Sequence, residues 1–192
     1  MDCIGLKFIS KKIHMKTIKI FSIATLLFIA GTVSAQQISS AELQVTGLTC
    51  SMCSQATEKS LKTLDFIESI KPDLNKNTFM IEFKDQKPVN MDLIKKKVQD
   101  AGFSIGNLVA VINFNNTNVN EDGLAVAGPN AYKFLNAKSK VLNGNVKVSV
   151  VDKNFISGPA FKKKAAQVAA DSYTSGYELI NGKRTRVYHV SI

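Results

Sequence analysis

Hydrophobic and polar positions follow two different textures along this chain, one from about Ala41 to Val111 and another after Gly123. In the first, Leu43 and Val45 alternate with polar neighbours over Glu42 to Thr46, the period of a half-buried strand. Gly47 breaks that run, and Ser51 to Leu64 reads as a helix with Ala56, Leu61 and Leu64 available to one face. Ile67 to Leu74 is a second strand, placed at a sheet edge by Pro72, which has no N–H to donate to a ladder. Asn75-Lys76-Asn77 makes a turn, and Phe79, Ile81 and Phe83 alternate cleanly as a buried strand. Asn90 caps a second helix that carries Ile94, Val98 and Ala101 at core spacing and stops at Gly102. A last strand runs from Phe103 through Ile105 and Leu108 towards Val111. The order βαββαβ predicts an α+β, ferredoxin-like unit, two helices on one face of a four-stranded antiparallel sheet.

Beyond it, the asparagine-rich stretch 113–123 reads as a linker. Short β-like runs follow at Lys133 to Ala137, Val146 to Val151, Tyr177 to Ile180 and Arg184 to Ile192. Asn143-Gly144 and Asn181-Gly182 are turn signals, the latter a hairpin between the last two runs. One helix, Pro159 to Asp171, shows Ala165, Val168 and Ala169 on one side. These elements fit a small β-rich, OB-like barrel, with a second α+β sandwich as the alternative. The expected organisation is therefore 1–35 as a leader, 36–112 as the ferredoxin-like domain, 113–123 as linker and 124–192 as a β-rich domain.

The leader is read from Lys16 to Ala35: two lysines, an apolar run from Ile20 to Ala30, then Val33-Ser34-Ala35 ending on small residues. That is a secretory signal peptide, cleaved before Gln36, with Met15 an alternative start to Met1. The apolar run is too short to span a bilayer, so no membrane span is expected after cleavage. Removing 1–35 takes five lysines and one aspartate, leaving a net charge of +6 instead of +10. A modest positive balance on a periplasmic or secreted chain is no argument for nucleic acid as a partner.

Cleavage also removes Cys3, leaving only Cys50 and Cys53. A bridge closing so short a loop contributes little to stability, so the pair is kept for chemistry. Soft thiolates select Cu(I), Zn(II) or Hg(II). Two ligands suit near-linear Cu(I) or Hg(II), whereas Zn(II) asks for four and only His189 remains besides the pair. Cys53 falls in the first turn of a helix, where exposed N–H groups and the helix dipole favour thiolate.

The run Gly47-Leu48-Thr49-Cys50-Ser51-Met52-Cys53, inside a βαββαβ pattern, resembles the heavy-metal-associated (HMA) domain family over about residues 41–111, including Ala101-Gly102-Phe103. That family includes copper chaperones, the N-terminal domains of copper-transporting P-type ATPases and periplasmic mercuric-ion binding proteins. The resemblance implies a ferredoxin-like fold, metal ligation by Cys50 and Cys53, and Phe103 beside the metal loop. Leu48 stands where the family usually has a methionine packed beneath the loop, and Pro72 where valine is more common.

The expectation is a non-enzymatic periplasmic carrier that captures Cu(I) and exchanges it with a donor or acceptor protein, such as a transport ATPase or another HMA domain. A mercuric-ion binder and a thiol–disulfide oxidoreductase are the rivals. His189 reads as an ordinary strand residue, Met52 as solvent-facing, Met80 and Met91 as packing residues. The runs Lys95 to Lys97 and Lys162 to Lys164 read as solvated helix faces, with steering of an acidic partner as the alternative.

Overall fold

The computed structural model describes residues 38–85, 87–168 and 171–192. The expected signal peptide lies outside them. Among the described residues no helix is long and apolar enough to cross a membrane.

The first half follows its sequence pattern closely. Strand β1 (Ile38–Thr46) leads to helix α1 (Ser51–Leu61), β2 (Ile67–Asp73), β3 (Thr78–Phe83), helix α2 (Met91–Asp100) and β4 (Ser104–Val119). The strands lie in the order β2-β3-β1-β4, all neighbours antiparallel, which is the ferredoxin-like arrangement. Alternation did its expected work: Leu43, Val45, Phe79, Ile81 and Phe83 are all buried. Asn90 is the N-cap of α2, its side chain accepting from the Leu93 N–H at 3.2 Å. Beyond its end, Gly102 N–H donates to Gln99 O and Phe103 N–H to Val98 O. Pro72 does lie on the edge strand. Helix α1 differs in detail, since Ala56 is exposed and Ser54 and Thr57 are buried with Leu61. The Thr57 hydroxyl is satisfied by donating to Cys53 O at 3.0 Å.

The second half departs from the expectation. Residues 113–119, read as linker, are the second half of β4, a strand of 16 residues. Their asparagines project from a two-stranded ribbon instead of marking a loop: Asn113 donates from its side chain to Asn145 Oδ1 at 2.8 Å. Strands β5 (Leu124–Ala127), β6 (Asn130–Phe134), β7 (Lys140–Val150), β8 (Tyr177–Ile180) and β9 (Lys183–Ser191) follow, with helices α3 (Gly158–Ala165) and α4 (Asp171–Ser175) before β8. They continue the first sheet in the order β4-β7-β9-β6-β5, and β8 hairpins onto β9. The β-rich second part was expected to be an OB-like barrel; its strands follow the order β4-β7-β9-β6-β5, parallel only between β6 and β9, and join the ferredoxin-like sheet through β4. Asn143-Gly144 is no turn either. Gly144 sits inside β7 opposite Phe114 at φ +75, close to a register shift between Phe114 and Thr117, so it bends the ribbon without ending it. The helix expected over Pro159 to Asp171 is two helices. Asn181-Gly182 does make the final hairpin, both residues at positive φ.

One hydrophobic core runs through both halves. It links Leu43, Phe79 and Leu108 to Phe114, Tyr132, Phe134 and Tyr188. Phe114 meets Tyr132 edge-on at 6.0 Å between centroids. A smaller cluster of Val151, Ile156 and Tyr173 lies under Phe161 of α3.

Candidate metal centre

The cysteine loop is built by the end of β1. Gly47 turns the chain at φ +91, a conformation that favours glycine, and Phe103 Cδ1 would lie 3.5 Å from a Cβ added there. Phe103 thus stands beside the loop, as the resemblance implied, and Leu48 is buried beneath it. Cys50 is the N-cap of α1: its backbone is extended, and its sulfur accepts from the Cys53 N–H at 3.2 Å. Cys50 is exposed and Cys53 half-buried. The two are joined as a disulfide with Cα atoms 5.3 Å apart. In that form neither sulfur is a thiolate, so metal capture requires reduction.

The cap gives Cys50 a second role. Cys50→Ser replaces the sulfur with a hydroxyl that can still accept at the N-cap and is expected to leave folding stability within about 0.5 kcal/mol, whereas Cys50→Ala should lose about 1 kcal/mol. Urea denaturation of both variants under reducing conditions checks this; equal stabilities would show that the cap contributes nothing.

Met52 is exposed and Met91 buried, as expected, but Met80 is exposed and not a packing residue. Among the described residues no cluster of three or more His, Cys, Asp or Glu side chains is arranged to hold an ion.

His189 is fully buried, far from a solvent-facing ligand. Its Nδ1 lies 2.8 Å from Asp152 Oδ1 and its Nε2 3.2 Å from Ser172 Oγ. A ring that donates from Nδ1 to Asp152 and accepts at Nε2 from the Ser172 hydroxyl satisfies both contacts. The same residue types make hydrolytic triads, yet no leaving group can reach a buried Nε2, so the trio is part of the core.

That trio continues into a clamp between the halves. Arg186 donates from Nε to Asp92 Oδ2 at 2.8 Å and from Nη2 to Asp92 Oδ1 at 3.3 Å. Its Nη1 donates to the carbonyls of Gly176 and Val187, and Nη2 lies 2.9 Å from Asp152 Oδ2. That last contact lacks hydrogen-bond alignment. Tyr188 OH donates to Asp92 Oδ2 at 3.1 Å, and Lys95 pairs with Asp92 Oδ1 at 2.6 Å. Asp92 opens α2, so the clamp grips the end of that helix opposite to Phe103 and the cysteine loop. Sequence reading missed it, because the partners lie more than 90 residues apart.

Burial pushes the Asp92 carboxyl up, but hydrogen bonds from Arg186 and Lys95 outweigh it and hold it at about 2. The folded value lies below the ordinary 3.8, so this stabilisation is complete above about pH 4 and is lost as pH falls through 2. It amounts to on the order of 1–2 kcal/mol after allowance for partial exposure. Asp92→Asn should flatten the stability profile between pH 4 and 2 in denaturant titrations. An unchanged profile would remove Asp92 from the account of acid unfolding.

Fold and loop together define a ferredoxin-like domain that presents a cysteine pair at a helix start. Residues 42–104 match the model of the heavy-metal-associated domain. The COP-associated protein of Helicobacter felis is 31% identical over 65 residues, which are 34% of this chain and 96% of that protein. The chain belongs to the heavy-metal-associated domain family. The copper chaperone CopZ of Staphylococcus haemolyticus is 29% identical over 63 residues, 33% of this chain and 91% of that one. The probable copper-exporting P-type ATPase of Archaeoglobus fulgidus is 32% identical over 63 residues, 33% of this chain and only 8% of the ATPase. The likeness covers one domain of that transporter and leaves the second half of this chain outside it.

Proposed function

We propose that this protein captures Cu(I) through Cys50 and Cys53 and passes it to a second dithiol protein. The observation that carries the reading is the pair itself: two sulfurs at an exposed helix start, with no third His, Cys, Asp or Glu arranged beside them among the described residues. Two soft ligands suit an ion content with near-linear coordination. Exposure lets an acceptor's thiols approach while the first bonds still hold, so the ion is exchanged without release to water. Relatives named as a copper chaperone and a copper-exporting ATPase favour copper. The partner class that fits is another HMA domain, free or within a transport ATPase. The Lys16 to Ala35 pattern supports a periplasmic site of action. Hg(II) fits the same two-sulfur geometry. The disulfide favours a second reading, thiol–disulfide exchange.

The test is an anaerobic titration of the reduced protein with Cu(I) against a competing chelator, beside Cys50→Ser/Cys53→Ser. Tight uptake of about one ion per chain, absent from the double variant, is expected. Uptake that the double variant retains would overturn the assignment. A parallel Hg(II) titration ranks the two ions, and insulin reduction that disappears in Cys50→Ser would favour the redox reading.

A further inference from the structure

The segments that build the cysteine loop carry no charge. Residues 43–57 and 101–120 contain no Asp, Glu, Lys, Arg or His. Any charge that a partner meets on approach must therefore come from a neighbouring element.

The second half supplies one. Asn154, Ser157 and Gly158 face Thr46, Ser104 and Gln99 across a cavity of about 230 Å³. Thr46 directly precedes Gly47, and Ser104 directly follows Phe103, so α3 starts at the pole of the molecule that carries the cysteines. Residues 153–170 contain four lysines and no acid. Three of them, Lys162, Lys163 and Lys164, lie on α3, with Lys162 and Lys163 exposed. Among the described residues none of the three is in an ion pair. On α2, by contrast, two of the three lysines are paired, Lys95 with Asp92 and Lys96 with Asp100. Helix α3 is also fixed in place: Phe161 stacks on Tyr173 at 5.0 Å, and Tyr173 donates to Val151 O at 2.6 Å. Part of the lysine run is explained locally, since cations at a helix C-terminus complement its dipole. That accounts for lysines on the last turn, but not for the lack of any compensating acid over 18 residues beside a neutral loop.

We propose that α3 is a docking face for an acidic metal-exchange partner, a dithiol protein whose contact surface is rimmed by Asp and Glu. The inference rests on the metal-carrier reading above and adds the partner's chemistry to it. Uncompensated charge flanking a neutral exchange site raises the encounter rate with oppositely charged surfaces and lowers it with like-charged ones. The second half thereby selects partners for a loop that has no charge of its own.

The experiment measures Cu(I) transfer from the reduced full chain to two synthetic CxxC peptides of equal length, one flanked by glutamates and one by lysines. At low salt the glutamate peptide should be loaded about tenfold faster. The gap should close near 1 M salt, where screening acts over about 3 Å. Lys162→Glu/Lys163→Glu/Lys164→Glu should reverse the preference while leaving Cu(I) affinity against the chelator unchanged, since none of these residues is a ligand. Equal rates for the two peptides, or a variant that behaves as wild type, would overturn the proposal. Loss in the variant of binding to phosphatidylserine vesicles, without peptide discrimination, would overturn it in favour of a membrane. Metal-free association of a fluorescent glutamate peptide, lost in the lysine variant, supports docking even if the chain takes up no copper, so the two readings fail separately.

Discussion

Arg186→Met is expected to lower folding stability by about 3 kcal/mol, close to the lower end of what breaking a buried ion pair costs. Arg186 uses its guanidinium on Asp92, Asp152 and the carbonyls of Gly176 and Val187, and its plane lies 4.2 Å over the Tyr188 ring. Methionine keeps part of the apolar contact but leaves the carboxylate of Asp152, only 5% exposed, without its countercharge. It also frees Asp92, the residue through which the second half holds α2. For an ordered region of this size the melting temperature should fall by about 6–12 °C. A double-mutant cycle with Asp92→Asn should return a coupling of about 1–3 kcal/mol. A loss below about 1 kcal/mol, or no coupling, would mean that the halves are held by their shared sheet alone. Cu(I) affinity is the internal control: the clamp lies at the other end of α2, about 15 Å of helix away, and should not affect it.

The second large effect is on the metal. Changing either cysteine alone to serine should lower Cu(I) affinity by at least about 1000-fold, nearly as much as changing both. Four-ligand structural sites bind with roughly 10–16 kcal/mol, several kcal/mol per ligand. In a two-ligand site one thiolate is half of the coordination, and about 4 kcal/mol corresponds to that thousandfold. Serine keeps the size and the helix cap at position 50 but is a hard, protonated oxygen that a soft ion does not choose. The two variants should therefore remain folded, which circular dichroism checks, and fail equally in competition with the chelator. If Cys53→Ser bound Cu(I) within tenfold of wild type, the pair would not be the ligand set. Oxidation should act like the double substitution and be reversed by dithiol reductant.

The clamp and the docking face belong to the same part of the chain and do different things. Asp92, Arg186 and Tyr188 bind the halves at one end of α2, while α3 starts near the other, across a cavity from Gln99, Thr46 and Ser104. A second half joined only by a mobile linker could not hold a lysine helix at a fixed place beside the loop. Strand β4, continuous from Ser104 to Val119, and the pairing of β7 along it supply the needed rigidity.

By itself the sequence determined what local periodicity and local chemistry encode. Period-two alternation placed β1 and β3, the cap at Asn90 placed α2, and the Gly47 to Cys53 run marked the loop that ends β1 and the cysteine pair at the start of α1. Each of these signals depends on residues within a few positions of one another, and one face of each element meets solvent, so the pattern is visible. The second half failed on both counts. Residues 187–190 of β9 are all buried, covered on both faces, and a strand of that kind shows no alternation. The asparagines at 113–118 read as loop because their side chains are polar, yet pairing with a strand some 30 residues away held them extended. Tertiary structure alone decided that β7 would extend the ferredoxin-like sheet, that Arg186 would reach Asp92, and that His189 would be a satisfied core residue. Those outcomes depend on which groups are desolvated together, and burial across 30 to 100 residues of intervening chain leaves no local mark in the sequence.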